Sequence, residues 1–195
     1  ILALIVLNGV FSMSELAIVS ARPGRLKSLE AKSRGARMAL RLAQDIFPAV
    51  KAHVPEARLW LVGNAPPPEL RALASDTVRV TGRVPDVRPY LARAGVFVSP
   101  LRLGAGIKNK VLEALAMGCP VVATPLSLDG IGAHDGEEAL VADGVDMVGA
   151  VVRVLQDNAL RARLGQQGRA LIEARYSWDA VAEQYIRLYE AVDSG

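Results

Sequence analysis

The segment SPLRLGAGIKNKVLEALAMGCPVVAT, residues 99–124, concentrates the side chains best suited to chemistry in this chain. Gly104, Ala105 and Gly106 permit tight turns and close backbone approach of a ligand. They run into a helical pattern that starts near Ile107–Lys108. A helix beginning there offers unpaired backbone N–H groups, an anion site that a glycine-rich approach opens to phosphate. Lys108 and Lys110 fall in the expected first turn, where the helix dipole disfavours cations. A bound polyanion would account for them; two solvated surface lysines are the plainer alternative. Glu113 neighbours Asn109 and Lys110 at i−4 and i−3. Its carboxylate suits the vicinal hydroxyls of a ribose, and the plainer alternative is a Lys110–Glu113 surface ion pair worth about 0.2–0.5 kcal/mol. Elsewhere the chemistry is thin. His134 reads as a solvated loop histidine, Cys119 as a packed thiol, and Trp60 and Trp178 as core or helix-packing aromatics. Two histidines and one cysteine leave little for a zinc site, and the single cysteine excludes an intramolecular disulfide.

These residues need a scaffold, and the pattern around them supplies one. RLWLVG, TVRVTG, GVFVSP and PVVATP are short apolar runs closed by Gly or Pro, the texture of buried strands, and EEALVAD reads as a last, edge strand. Between them lie helical stretches. DIFPAVKAHVP places Ile46, Phe47, Val50 and Val54 at helical spacing, a helix opens at Pro66–Pro68, DVRPYLARA forms a short one, and KNKVLEALAMG ends at Gly118. Helices over about 144–156, 159–175 and 178–192 finish the chain, the last capped by Ser177. Strands too apolar to have a wet face, alternating with helices, imply a parallel sheet covered on both sides. The class is α/β, Rossmann-like, and its ligands are expected beyond the carboxyl ends of the strands.

Composition narrows the function classes. The chain has 195 residues, 51% hydrophobic, with 23 Lys and Arg against 20 Asp and Glu, which excludes a disordered chain. The basic excess is local. Residues 1–44 hold seven basic groups against Glu15 and Glu30, near +5, and the remainder is near −2. Nothing interleaves basic and aromatic residues as a nucleic-acid surface does. The opening ILALIVLNGVFSMSELAIVS is apolar almost throughout and is followed by Arg22, Arg25 and Lys27. That order suits a membrane helix with positive residues inside, although Glu15 would cost roughly 2–3 kcal/mol or more at its centre. The alternative is a helix packed on protein.

GIKNKVLEALAMGCPVVAT resembles the nucleotide-sugar site of GT-B retaining glycosyltransferases, most closely the bacterial exopolysaccharide sugar transferases. The likeness extends through IFPAVKAHVPEARLWLVG, VTGRVPDVRPYLARAGVFVSPL and YSWDAVAEQYIRLYEAV, about residues 45–192, and implies the C-terminal, donor-binding half of a GT-B fold. The resemblance implies that Glu113 binds the donor ribose and that Gly104, Gly106, Ile107 and Lys108 cradle the diphosphate, with Asn109 and Lys110 beside them. It puts Arg83 and Val84 where the main chain meets the base. It implies a nucleoside diphosphate sugar as donor and a glycan or lipid-linked sugar as acceptor, with no cofactor and no metal. Many relatives carry a second glutamate where Ala105 stands here, so no catalytic residue is assigned.

LNGVFSMSELAIVSARPGRLKSL resembles the opening transmembrane helix of the CorC/CNNM (hemolysin-like) membrane proteins. The expectation is therefore a helical, membrane-like segment over residues 1–43, joined to a Rossmann-like nucleotide-sugar-binding domain over 44–195. It stands where the family has its first strand and phosphate loop, and the acceptor-binding domain is expected to be missing. Location is expected to be cytoplasmic, with membrane contact through residues 1–20 as an attachment to the inner face. A membrane-associated non-catalytic protein, or a fusion without function as joined, are the competing readings.

Overall fold

The computed structural model describes residues 3–7, 35–103 and 106–193. Six strands form one parallel sheet: β1 (Ala3–Leu7), β2 (Arg58–Val62), β3 (Val78–Gly82), β4 (Ala94–Ser99), β5 (Val121–Ala123) and β6 (Leu140–Val141). Their order is β3-β2-β1-β4-β5-β6.

β1 corrects the expectation for the N-terminal run. Residues 3–7 are not helical. They lie at the centre of the sheet, with Ala3 through Leu7 in register with Arg58 through Val62 on one side and Ala3, Leu4 and Ile5 against Ala94, Val96 and Phe97 on the other. A short apolar run has no period that separates a buried strand from a buried helix, and a strand flanked on both sides is apolar throughout. Of the expected segment over residues 1–43, residues 1–2 and 8–34 lie outside the described residues. No helix among the described residues is long and apolar enough to cross a membrane.

The return from β1 to β2 runs through one long helical stretch: α1 (Gly35–Arg41), a π turn (Leu42–Ile46) and α2 (Phe47–His53). The π turn falls just before Pro48, which has no N–H to bond the carbonyl of residue 44; the Phe47 N–H reaches back to Leu42 instead. Ala36, Ala39, Leu42, Ile46, Phe47 and Val50 are buried on one face of the sheet, against Leu59, Leu61, Val96 and Val98. Thus α1 belongs to the same core as the strands.

Alternation along β4 shares the sheet between two cores, with Val96 and Val98 on one face and Phe97 on the other. Helix α3 (Pro68–Arg71) and helix α7 (Asp146–Gln156) lie with α1 and α2, through Leu70, Met147, Val151 and Leu155. The opposite face carries α4 (Arg88–Leu91), α5 (Asn109–Ala116) and α6 (Pro125–Leu128), through Leu91, Val111, Leu115 and Leu128.

Helix α8 (Asn158–Tyr176) is started by Asp157, whose Oδ1 accepts the Leu160 N–H at 2.9 Å. Two glycines let it approach α5: a Cβ on Gly165 would overlap the Gly118 carbonyl, and one on Gly168 would press on Leu115. Helix α9 (Trp178–Asp193) ends the described chain, with the Ser177 hydroxyl accepting the Ala180 N–H at 3.2 Å. Trp178 is 90% exposed and is not the packed aromatic expected from the sequence.

Candidate functional site

The strand order locates a crevice. The helices after β1 and β2 cover one face and those after β3, β4 and β5 cover the other, so the winding reverses between β1 and β4. In open α/β sheets, ligands bind outside the carboxyl ends of the strands at such a switch point. The loop that leaves β4 there is the segment picked out in the sequence, Pro100 through Lys108.

Within it, Gly104 lies outside the described residues, and Gly106 has φ +75°, a conformation that favours glycine. Lys108 precedes the helix and does not sit in its first turn: α5 begins at Asn109, and the Lys108 Nζ donates to the Gly106 carbonyl, folding over the loop. Its own carbonyl accepts the N–H groups of Val111 and Leu112, at 2.8 and 3.2 Å. Ile107 is 49% exposed, with the turn at Gly130 packed against it. The Tyr176 hydroxyl fixes that turn by donating to the carbonyl of Gly130 at 2.8 Å, with the Ile131 carbonyl 3.1 Å away.

Asn109 and Glu113 are exposed on α5, one turn apart, and Lys110 is half-buried between them. Burial lowers the Lys110 pKa, and the attraction of Glu113 opposes that shift in part. No Lys110–Glu113 ion pair forms within 4 Å. An ammonium half removed from water at the N-terminal end of a helix is costly without an anion.

Arg83 and Val84 lie after β3, beyond β2 and β1 in the sheet order. Arg83 is exposed, and Val84 is partly buried with Trp60, Val87 and Tyr90. Gly82 has φ +73° and supplies the turn before them.

The family described as Glycosyl transferases group 1 matches residues 14–157, more than half of the chain. The chain belongs to this family. It is similar to the lipopolysaccharide core biosynthesis glycosyltransferase LpsE of Rhizobium meliloti, 35% identical over 149 residues, which cover 70% of this chain and 43% of that one. Among solved structures, sucrose-phosphate synthase from Thermosynechococcus elongatus aligns with TM-score 0.66 at 22% identity, over 98% of this chain and 46% of the other. HepE of Anabaena, solved in complex with UDP, aligns with TM-score 0.66 at 12% identity, over 96% and 48%. The two structures show a shared GT-B-like fold. The chain spans under half the length of the curated relative it matches. The family match begins at residue 14 and so includes most of the stretch that resembles a membrane helix.

Several residues that brace this candidate site were not evident in the sequence. Ser99, Thr124 and Ser127 are buried where β4, β5 and α6 meet. The Ser99 hydroxyl donates to Ser127 Oγ at 2.9 Å, Ser127 Oγ donates to the Ser99 carbonyl at 2.8 Å, and Thr124 Oγ1 donates to the Leu101 carbonyl at 2.6 Å. These bonds fix the first turn of the β4 loop. The loop is tied on its other side by Arg102, which pairs with Asp143 beyond β6 at 3.2 Å. Both links join residues 23–41 positions apart, so no local spacing announces them.

Cys119 is buried at the end of α5, and burial pushes its pKa up to about 12, so it is no nucleophile. Among the described residues, one group has metal-ligand geometry: His134, Glu137 and Glu138, with ligand atoms within 4.8 Å of one another. Glu138 already accepts the His134 backbone N–H at 2.8 Å. The group lies in the loop that leads into the start of β6, whereas the crevice lies beyond the strand ends.

Proposed function

We propose that this chain binds a nucleoside diphosphate sugar in the switch-point crevice, as the donor-binding half of a glycosyltransferase that extends cell-surface or exported polysaccharide. The observation that carries the reading is the β4 loop itself: a positive-φ glycine, then a helix N-terminus with a desolvated Lys110 in its first turn and an exposed Glu113 one turn on. Membership of the group 1 family, the lipopolysaccharide activity named for LpsE and the UDP held by HepE agree with it.

In this reading Glu113 accepts hydrogen bonds from the two ribose hydroxyls. The first N–H groups of α5, with Lys108 and Lys110, meet the diphosphate. Transfer of the sugar to a hydroxyl acceptor leaves negative charge on that diphosphate, and donors already aimed at the place where charge grows lower the barrier most. Gly104 and Gly106 let the main chain come close. Arg83 and Val84 would contact the base, and no metal is called for by this donor set.

Calorimetry with UDP and GDP tests the assignment. The chain should bind at least one of them, and Glu113→Ala should weaken that binding by about tenfold, the worth of hydrogen bonds to a charged group. Absence of binding by the unaltered chain, or binding indifferent to Glu113→Ala, would reject the site.

A further inference from the structure

Two arginines converge on one carboxylate at the edge of the crevice. Asp143 Oδ1 accepts the Gly144 N–H at 2.6 Å, Arg102 Nη2 at 3.2 Å and Arg102 Nε at 3.3 Å, with Arg41 Nη2 3.7 Å away. The three residues belong to different parts of the fold: α1, the β4 loop and the loop after β6. Two guanidinium groups against one carboxylate leave a surplus positive charge. The Arg41 Nη1 is buried and has no hydrogen-bond partner among the described residues. Such an orphaned donor costs free energy unless a further acceptor is supplied or the group can move closer to its carboxylate.

The two arginines differ in freedom. The Arg102 side chain is 55% exposed and Asp143 49%, whereas Arg41 is 21% exposed. A solvent-exposed ion pair holds only weakly, whereas a guanidinium meeting phosphate makes two parallel charge-assisted hydrogen bonds. Arg102 is therefore easily drawn off Asp143 by a phosphate. Arg41, anchored in a helix and already within 4 Å, is placed to take over the carboxylate.

We propose that Arg102 is a phosphate-binding arm of the crevice, held on Asp143 while the site is empty and exchanged for Arg41 when a nucleoside diphosphate enters. The inference rests on the nucleotide-donor reading above and adds to it a specificity for the diphosphate over the nucleoside. Arg102 stands three residues past the end of β4, in the loop that the donor reading places against the ligand. Asp143 in this scheme is a positioning residue: it lowers the positive charge of the empty crevice and keeps the arm folded back.

The test compares UDP and GDP with uridine and guanosine, using calorimetry on the full chain and on Arg102→Gln, Arg102→Lys and Asp143→Asn. The altered side chains are exposed, and a thermal melt of each variant checks that the fold is kept. Arg102→Gln should weaken diphosphate binding about tenfold, as loss of a charged hydrogen-bonding pair does, and leave nucleoside binding unchanged. Arg102→Lys should fall between. Asp143→Asn should tighten diphosphate binding roughly threefold, because the arm is freed and one opposing charge removed. A purely structural ion pair gives the opposite sign for Asp143→Asn. Equal loss for nucleoside and diphosphate, no loss in Arg102→Gln, or weaker binding in Asp143→Asn each overturns the inference while leaving the donor site standing. Failure of the unaltered chain to bind either diphosphate removes both.

Discussion

Ser99 and Ser127 are joined by two hydrogen bonds across the carboxyl end of the sheet: Ser99 Oγ donates to Ser127 Oγ at 2.9 Å, and Ser127 Oγ donates to the Ser99 carbonyl at 2.8 Å. The pair sits under the point where the β4 loop departs, so the first residues of that loop inherit the rigidity of two strands.

Removing the hydroxyl from Ser127 should therefore be felt in two places. Ser127→Ala leaves the Ser99 hydroxyl and carbonyl buried without these partners, a loss of about 1–3 kcal/mol. Chemical denaturation should show that loss in the midpoint with an unchanged slope. Limited proteolysis should cut faster between Leu101 and Lys108 than in the unaltered chain. A midpoint shift without faster cutting would mean that the pair stabilises the core but does not steady the loop.

The contact between α8 and the end of α5 gives a graded series of glycine substitutions. Gly165→Ala puts a methyl onto the Gly118 carbonyl oxygen, and neither backbone can easily retreat. A cost of about 1–3 kcal/mol is expected, as for other overpacked sites. Gly168→Ala meets chiefly the Leu115 side chain, which can turn aside, and should cost less. Gly149→Ala in α7 meets nothing within 4 Å among the described residues and should stabilise by about 0.5–1 kcal/mol through helix propensity alone. Thermal melts of the three variants check the order; Gly165→Ala proving as mild as Gly168→Ala would contradict the close docking of the helices.

Lys110 should trade stability against binding. Its folded pKa is lowered by burial, more than Glu113 restores it. The folded chain thus holds this proton less tightly than the unfolded chain, so stability rises with pH between the lowered value and the ordinary 10.5. Below the lowered value the charged lysine destabilises the fold by a constant amount. Lys110→Met should melt higher than the unaltered chain at pH 7, with the difference closing as pH approaches 10.5. The same variant should bind UDP or GDP more weakly. A melting difference that stays constant up to pH 10.5 would show that the lysine is not strained by burial.

Cys119 should be inert in the native state. With a pKa pushed up to about 12, roughly one thiol in ten thousand is ionised at pH 8, and the sulfur is buried as well. A chromogenic disulfide reagent should give no signal until denaturant unfolds the chain, and then one equivalent. Rapid reaction under native conditions would require the end of α5 to open.

The parts of this fold that were legible in the sequence are those whose signals are local. Strands β2 through β5 stand out because Gly or Pro closes each apolar run, and α5 because Val111, Leu112 and Leu115 repeat at helical spacing before Gly118. Gly118 has the φ of +65° that such a helix end favours. β1 does not stand out, because the apolar run of residues 1–7 that contains it has no turn signal and no period, and because an apolar continuation with basic residues beyond it suggests a membrane segment. The helix N-terminus of the candidate site was legible to within two residues. The Ser99–Ser127 and Arg102–Asp143 links were not, since each joins segments distant in sequence that only the folded sheet brings together: the end of β4 with α6, and the β4 loop with the loop after β6.

The central place of β1 bears on how the chain reaches its fold. Its two neighbours begin at Arg58 and Ala94, so pairing must close spans of more than fifty and about ninety residues. Until both are closed, β2 and β4 each face solvent with an unpaired row of backbone donors and acceptors, the template on which strands of other molecules add. Parallel pairings over such distances form late and slowly. The sheet therefore has a seam at its middle: the β3-β2 and β4-β5-β6 portions assemble through shorter connections, and five residues complete it by entering between them. Yield on refolding should fall steeply with protein concentration, because the competitor for that slot is the same strand from another copy.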